Sequence, residues 1–537
     1  MTPTDTPLTP LAFLERAATI HPGQVAVVDG GRRLTYAQAA EHVTRLANAL
    51  RDLGVRPGDR VAYITANSTE MLLAHYAVPL AHAVLVAVNT RLAPQEVRYI
   101  LEHSGASVVM IDPGLWDLMS GYHQELGLRA VVSLPAQAGD IRTVAGTRNY
   151  TGLVQAGSPD PLPWEVDDED RTITINYTSG TTGRPKGVMY THRGAYLNSL
   201  NQVVHQRLTR ESNYLWTLPM FHCNGWCNTW AVTAAAGRHV VLRAVRGADI
   251  WQLLAQEKIT HLCGAPTVLT TMATAENAHQ LTEPLLVTTA GAAPSPTIIE
   301  KFNAMNATVV HVYGLTETYG PYTVCEPQPE WAGLNPHDLA VQMARQGVAM
   351  VAADPVRVVE FGSGDELTDV PPDGETMGEI VMRGNCTMKG YYDDEKATAD
   401  AFAGGWFHSG DLGVMHPRGY VQLLDRAKDV IISGGENIST VEVEQAVLRH
   451  QAVADVAVIA IPDETWGEVP KAIVVLDAGH DATQDDIIAH VKSHIAGYKA
   501  PKAVEFAAEL PKTATGKIRK HELREKEWTG RQNRIQG

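Results

Sequence analysis

Cysteine is scarce in this chain. Five occur in 537 residues, and an odd count in so long a chain makes a disulfide framework an unsuitable brace and fits a reducing compartment. Positive charge is in deficit as well: 44 lysines and arginines stand against 60 aspartates and glutamates, a formal net charge of -16. That surface field repels polyanions at long range and argues against a sequence-independent nucleic-acid binder. Any phosphate ligand must be gripped locally. Long apolar runs are missing too; the longest, Ala83 to Val88, is far short of a bilayer span, so no membrane span is expected. The first residues, MTPTDTPLTPLAFLERAATIHPG, carry Asp5 and no basic leader, which argues against a secretory signal and makes a cytoplasmic location the expectation.

Several catalytic signatures are also absent. No Gly-Lys-Ser/Thr closes a Walker A loop, and there is no G-x-S-x-G elbow or H-E-x-x-H helix, which sets aside P-loop kinases, serine hydrolases of that type and zinc proteases. His222, Cys223 and Cys227 cluster in FHCNGWC. Their spacing matches no common zinc pattern and no second ligand pair lies nearby, so lining a pocket is the expected role.

What remains is the pattern of an α/β protein of about three or four domain-sized units. Short β-branched runs (RVAYIT from Arg60, TITINY from Thr172, LLVTTA from Leu285, TVVHVY from Thr308) alternate with segments of helical period. Between Tyr177 and Gly187 stands YTSGTTGRPKG, rich in glycine, serine and threonine and carrying Lys186 near its end. Leu197, Leu200, Val204 and Leu208 follow at i, i+3, i+7 and i+11, one apolar stripe of a helix. The loop is therefore expected to join a strand to a helix, presenting backbone N–H groups and a helix N-terminus to phosphate. A flexible surface connection is the bland alternative.

YTSGTTGRPKG resembles the signature loop of the adenylate-forming (ANL) superfamily, which includes acyl-CoA synthetases, peptide-synthetase adenylation domains and beetle luciferases. The other family motifs follow in order: GAAP (Gly291 to Pro294), YGLTET (Tyr313 to Thr318), GWFHSGDLG (Gly405 to Gly413), DRAKDVIISGGENIS (Asp425 to Ser439) and PKTATGKIRK (Pro511 to Lys520). PMFHCNGWC and ARQGV (Ala344 to Val348) look most like the medium-chain and methylthioalkanoate acyl-CoA ligase branch. The resemblance implies a large N-terminal adenylation domain of sandwiched sheets and helices with a β-barrel-like subdomain (residues 1–427), and a small mobile α+β C-terminal domain (428–537).

The resemblance also implies roles. Thr178, Ser179, Gly180, Thr181, Thr182 and Gly183 would wrap the β- and γ-phosphates of ATP, with Lys186 as a flanking cation. Glu317 would hold magnesium, a hard cation suited to oxygen ligands, and Thr316 would touch the α-phosphate. Tyr313, followed by Gly314, would stack on adenine, with Gly291, Ala292 and Ala293 close to the base. Asp411 would accept the ribose hydroxyls, supported by Arg426. Gly434 and Gly435 would line a tunnel for the pantetheine of coenzyme A, a narrow passage that a Cβ would obstruct. His222 would lie beside the substrate carboxylate, an ordinary buried histidine being its rival reading. Cys223, Trp226, Val287, His311, Tyr319 and Gly320 are candidate walls of the acyl pocket.

Ser439 and Glu442 resemble a capping box, with Val443, Ala446 and Val447 at helical spacing and DVAVIAI (Asp455 to Ile461) as a strand, the start of a separate C-terminal unit. Lys428 falls at the family's hinge, where one residue's dihedrals absorb a rotation between two poses.

The expected activity joins a carboxylic acid, medium-chain or aryl, to AMP with release of pyrophosphate and passes the acyl group to CoA. An alternative keeps adenylation but hands the group to an amine or carrier protein, or activates a non-carboxylate oxyanion such as nitrite. Homodimers are frequent among similar enzymes. Lys517, in TATGKIRK, is the expected catalytic cation, bridging substrate carboxylate and α-phosphate. A cation aimed at developing charge is worth about 3 to 4 kcal/mol. Lys517→Ala is therefore expected to lower adenylation roughly a hundred- to a thousandfold while leaving thiolysis of supplied acyl-adenylate largely intact. Separate assays of the two half-reactions check this, and equal loss of both defeats the two-pose assignment.

Overall fold

The computed structural model describes residues 6–135, 144–178, 184–361, 366–433, 436–463, 465–477, 479–512 and 518–528. Its contacts divide the chain into two compact units, one of residues 1–355 with 383–402, the other of 356–382 with 403–537. The fold is α/β, a large N-terminal unit and a smaller C-terminal one.

In the larger unit an eight-stranded sheet is centred on Arg60–Ile64, flanked by Val84–Ala87 and Ala106–Ile111, all parallel. The strand Val84–Ala87 is buried along its whole length, as a parallel strand covered on both faces should be. The helix Thr69–Leu80 is buried all round, and so lacks the polar face of a surface helix. A nine-stranded sheet runs from Val348–Ala349 through Gly320–Val324, Ala307–Leu315, Leu285–Thr289 and onward to Arg32–Thr35. All the strands expected from the sequence are present: Arg60–Ile64, Thr172–Tyr177, Leu285–Thr289, Ala307–Leu315 and Val453–Asp463.

Two expectations are corrected. YTSGTTGRPKG does not lead into a helix. Thr172–Tyr177 pairs antiparallel with Gly187–Thr191, closed by Thr178 N–H donating to Lys186 O at 3.0 Å; the helix His192–His205 begins only after that second strand, capped by Thr191. GVMYT is β-branched and aromatic enough to prefer the pleated surface, so the segments flanking the loop pair as two strands of a hairpin and the helix follows the second strand, not the loop. The apolar stripe is the second correction. Val204 is exposed and Leu208 lies past the helix end, whereas the buried face is Asn198, Ser199, Asn201 and Gln202. These side chains are buried because neighbouring elements present polar partners: Asn198 Nδ2 donates to Tyr319 O at 3.1 Å, and Asn201 Oδ1 accepts from Ala352 N at 2.8 Å. A satisfied polar group can be buried at little cost.

The smaller unit holds an antiparallel four-stranded sheet (Arg357–Val359, Met377–Met382, Phe407–Met415, Val421–Arg426) and a second sheet built around Val453–Asp463 and Gly467–Leu476. Helices Thr440–Leu448 and Gln484–His494 cover that second sheet through Val443, Val447, Ile487 and Val491. Ser439 Oγ accepts from Glu442 N at 3.1 Å, half of a capping box; Glu442 pairs instead with Lys499, 2.8 Å away.

The polar face and the exposed stripe of His192–His205 make opposite forecasts. Asn198→Ala should lower stability by about 1 to 3 kcal/mol, since the Tyr319 carbonyl loses a buried donor. Val204→Lys should stay within about 0.5 kcal/mol. Urea denaturation midpoints of the two variants check both, and a reversed order refutes the assignment of the faces.

Candidate active site

The segment Phe221–Cys227 folds in an unusual way. Cys223, Asn224, Gly225, Trp226 and Cys227 have φ of 47°, 43°, 59°, 56° and 60°, five successive residues in the left-handed region. Each non-glycine residue there costs roughly 1–2 kcal/mol, so tertiary contacts must impose the turn. All five are buried. The Asn-Gly pair is the one sequence feature that favours such backbone, and a single pair does not announce a run of five.

This turn packs on a hairpin. Ala307–Leu315 and Gly320–Val324 pair antiparallel, joined by the short 3-10 turn Thr316–Thr318. A Cβ on Gly314 would strike the carbonyl of Gly320, and one on Gly320, at φ 96°, would meet the Trp226 side chain at 2.9 Å. Cys223 Sγ lies 3.4 Å from Thr316 Oγ1 and 3.7 Å from His222 Nε2. Tyr190 donates its hydroxyl to Thr316 O at 2.7 Å and stacks on Tyr319 at 4.0 Å between centroids. His222, Cys223, Trp226, Thr316, Tyr319 and Gly320 are thus brought together.

Sequence reasoning missed Tyr391. Its hydroxyl donates to Glu317 Oε1 at 3.0 Å, and Lys186 Nζ sits 4.6 Å from its ring centroid. The strand Gly390–Tyr391 pairs with Gly187–Thr191, which carries the tyrosine to the mouth of the signature loop. Expected magnesium ligand and expected phosphate cation therefore share one tyrosine, the carboxylate at its hydroxyl and the ammonium over its ring. The KGYYDDE stretch (Lys389 to Glu395) offered a cue in its paired tyrosines, but nothing in the string joins it to Glu317.

Electrostatics in this site follow from enclosure. Burial lowers the His222 pKa to about 4, so its imidazole is neutral at pH 7, and pushes the Cys223 thiol up to about 12. Cys223 is therefore a neutral thiol at pH 7. Burial and the Glu317 carboxylate both raise the Tyr391 phenol.

Val287 is fully buried within its strand. His311 donates from Nδ1 toward Ala344 O at 2.7 Å, the bonding of a satisfied core histidine. Tyr313 is buried, Gly291 and Ala292 are exposed, Ala293 is half-buried, and Gly291 takes φ 92° with open space where a Cβ would stand; backbone conformation, not lack of room, selects glycine there. In the smaller unit Asp411 is buried and pairs with Arg426 Nε at 3.0 Å, the two facing each other across adjacent strands. Burial lowers the Lys428 pKa to about 8, and its carbonyl accepts from Arg524 Nη1 at 3.2 Å. Ser179, Gly180, Thr181, Thr182, Gly183, Gly434, Gly435 and Lys517 lie outside the described residues.

The model of the AMP-binding enzyme family matches residues 14–392, and that of its C-terminal domain residues 442–517. Acetate–CoA ligase CCL3 of Humulus lupulus is 44% identical over 97% of this chain and 95% of its own length. Acetate/butyrate–CoA ligase AAE7, peroxisomal, of Arabidopsis thaliana is 43% identical with the same coverage of 97% and 95%. The solved structure of ATP-bound MatB from Rhodopseudomonas palustris superposes with a TM-score of 0.84 at 27% identity, covering 97% of this chain and 99% of that one. Fold, ordered motifs and matches define the class of adenylate-forming enzymes. The chain belongs to the AMP-binding enzyme family, within its acid–CoA ligase (acyl-CoA synthetase) branch.

Acid sensitivity follows from the buried histidines His75, His239 and His311 and the partly buried His222. Burial lowers the pKa of His75, His222 and His311 to about 4, and that of His239 to about 3. With folded values below the unfolded 6.5, the unfolded chain binds more protons between these pH values. Stability is then complete above about pH 6.5 and lost as pH falls toward 4, on the order of 1.4 kcal/mol per pH unit for each histidine. Melting temperatures measured from pH 7.5 to 4.5 should fall steeply below 6.5; a flat profile contradicts these assignments.

Proposed function

We propose that the chain is an ATP-dependent ligase that adenylates a short- to medium-chain carboxylic acid and transfers the acyl group to coenzyme A. The observation that carries this reading is the meeting of Lys186, Tyr391 and Glu317, with Thr316 then linking that corner to Cys223 and His222. One end of the cluster offers charge and hydroxyl to polyphosphate, the other a neutral, enclosed wall to an acid. A carboxylate is a poor electrophile because oxide leaves badly. When its oxygen attacks the α-phosphorus of ATP, pyrophosphate leaves; the CoA thiol then attacks the acyl carbon, its proton passes to solvent, and AMP departs.

Positioning and charge neutralisation supply most of such catalysis. The neutral His222 can orient the acid without adding repulsion or a fixed cation. Thr316, its carbonyl held by Tyr190, offers a hydroxyl at the α-phosphate. Glu317, its carboxylate aligned by the Tyr391 hydroxyl, suits magnesium, whose preference is for hard oxygen donors; when bound, the ion would neutralise phosphate charge. Asp411 and Arg426 would hold the ribose, and Lys517 would face the forming bond. Lys428 would be the pivot between a domain of residues 1–427 and one of 428–537, so that one pose serves adenylation and the other thiolysis.

The names of the relatives favour acetate and butyrate as first substrates to try, and Trp226 against Gly320 is consistent with a shallow acyl pocket. The same reading includes a homodimer, and a reducing compartment, the cytoplasm, for five cysteines that are all free. AAE7 is named as peroxisomal. No described helix is long and apolar enough to cross a membrane.

Pyrophosphate and AMP release, measured with ATP, magnesium and acids from acetate to octanoate plus an aryl acid, tests the proposal. At least one acid should give AMP formation that CoA accelerates. AMP release indifferent to CoA for every acid moves the chain to a different acceptor, and no release with any acid overturns the reading.

A further inference from the structure

The left-handed turn that carries Cys223 and Trp226 is anchored by one side chain that no expected role uses. Asn224 is fully buried, as are its partners His75, Thr174 and Asn176 to within 2% exposure. His75 Nδ1 lies 2.8 Å from Met71 O. A carbonyl only accepts, so Nδ1 carries the proton and Nε2 is left as a bare acceptor. Asn224 Nδ2, 2.9 Å from that Nε2, must be the donor, which fixes the orientation of its amide. Asn224 Oδ1 then receives two bonds, from Thr174 Oγ1 at 2.7 Å and Asn176 Nδ2 at 2.6 Å. Donors and acceptors match at every contact around Asn224.

The three anchors belong to elements with different duties. His75 sits on the fully buried helix Thr69–Leu80, a rigid reference. Thr174 and Asn176 lie on the strand Thr172–Tyr177, whose end opens into the signature loop. Asn224 lies in the turn that sets Cys223 on Thr316 and Trp226 on Gly320. We propose that Asn224 is a positioning residue, acting through the buried His75–Asn224–Thr174/Asn176 network to hold the acyl-side turn in register with the strand that feeds the phosphate loop. It touches no substrate. Its effect is on where the acid lies relative to ATP, and this part of the inference rests on the ligase reading above.

The test uses the full-length chain. His75→Leu leaves the Asn224 amide unpaired, whereas His75→Gln can return an acceptor oxygen near the Nε2 position. Asn224→Ala removes the bonds and disfavours the left-handed backbone; Asn224→Gly removes the bonds and permits it. Tyr36→Phe, which deletes a buried bond to Gly237 O elsewhere in the same unit, is the control for general destabilisation. Two readouts are taken on each variant: the rate of Cys223 alkylation by iodoacetamide, located by peptide mass spectrometry, and kcat/KM for butyrate, acetate and the other panel acids alongside KM for ATP. His75→Leu, Asn224→Ala and Asn224→Gly should label Cys223 at least tenfold faster and lose at least tenfold in kcat/KM for the acid, with KM for ATP within twofold. His75→Gln and Tyr36→Phe should stay within threefold of the unmodified chain on both. Cys223 labelling unchanged in His75→Leu and Asn224→Gly overturns the inference whether or not any acid is turned over. Equal labelling in Tyr36→Phe, or equal losses for acid and ATP, also overturns it. If Asn224→Ala or His75→Leu fails to fold, Asn224→Gly set against His75→Gln decides on the same criteria. A chain that turns over no acid, yet shows the labelling pattern, keeps the network and refutes only the ligase reading.

Discussion

Tyr319 is the pin on which the larger unit's chemistry turns. Its ring stacks on Tyr190, and its hydroxyl accepts from Thr191 N at 2.8 Å. Its carbonyl takes a bond from Asn198 Nδ2, with Cys227 Sγ 3.7 Å away. One residue at φ 62° thereby joins the eight-stranded sheet, the hairpin of the nine-stranded sheet, the helix His192–His205 and the left-handed turn. Thr316 and Glu317 precede it by a few residues, so their placement depends on the same contacts. Expected from the sequence as a pocket wall, Tyr319 is fully buried, with its hydroxyl and its carbonyl both hydrogen-bonded.

Around that pin the site is built from neutral groups in enclosure and charged groups at its edge. His222 and Cys223 are kept uncharged by burial, while Lys186 is exposed beside Tyr391. The division suits a reaction between two anions. Repulsion has to be relieved where the phosphates lie, and the acid needs a wall that adds none. The low pKa of the enclosed histidines carries a cost in acid, since every one of them gains a proton on unfolding below about pH 6.5.

The smaller unit follows a different logic. Asp425 accepts from Thr440 N and Oγ1 at 2.5 and 2.7 Å, and Lys520 reaches Glu444 at 2.8 Å. Arg524 bonds both Asp429 and the carbonyl of Lys428. The helix Lys520–Trp528 thus grips the stretch around Lys428, and these largely buried charges stand in opposed pairs, as isolated charges could not. A pivot at Lys428 would have to release or carry along the Arg524 contact, a constraint that the motif DRAKD does not convey.

Motifs in order, the β-branched runs and the acidic, cysteine-poor composition were enough to read the family, the α/β class and the strand positions, because each depends on residues close together in sequence. Helix faces and loop context were not readable in that way. Leu197, Leu200 and Val204 repeat at helical spacing, yet Asn198 and Asn201 face inward, because burial is decided by which neighbours can satisfy a polar group. The local pattern of the signature loop points to a following helix, since nothing in it says that GVMYT will pair back on TITINY. Tyr391, seventy-four positions from Glu317, and Asn224, whose partners come from residues 75, 174 and 176, became visible only through folding. Sequence alone determined which chemistry the chain carries; tertiary structure decided which side chains meet to perform it, because hydrogen-bond partners and left-handed backbone are imposed by contacts remote in the chain.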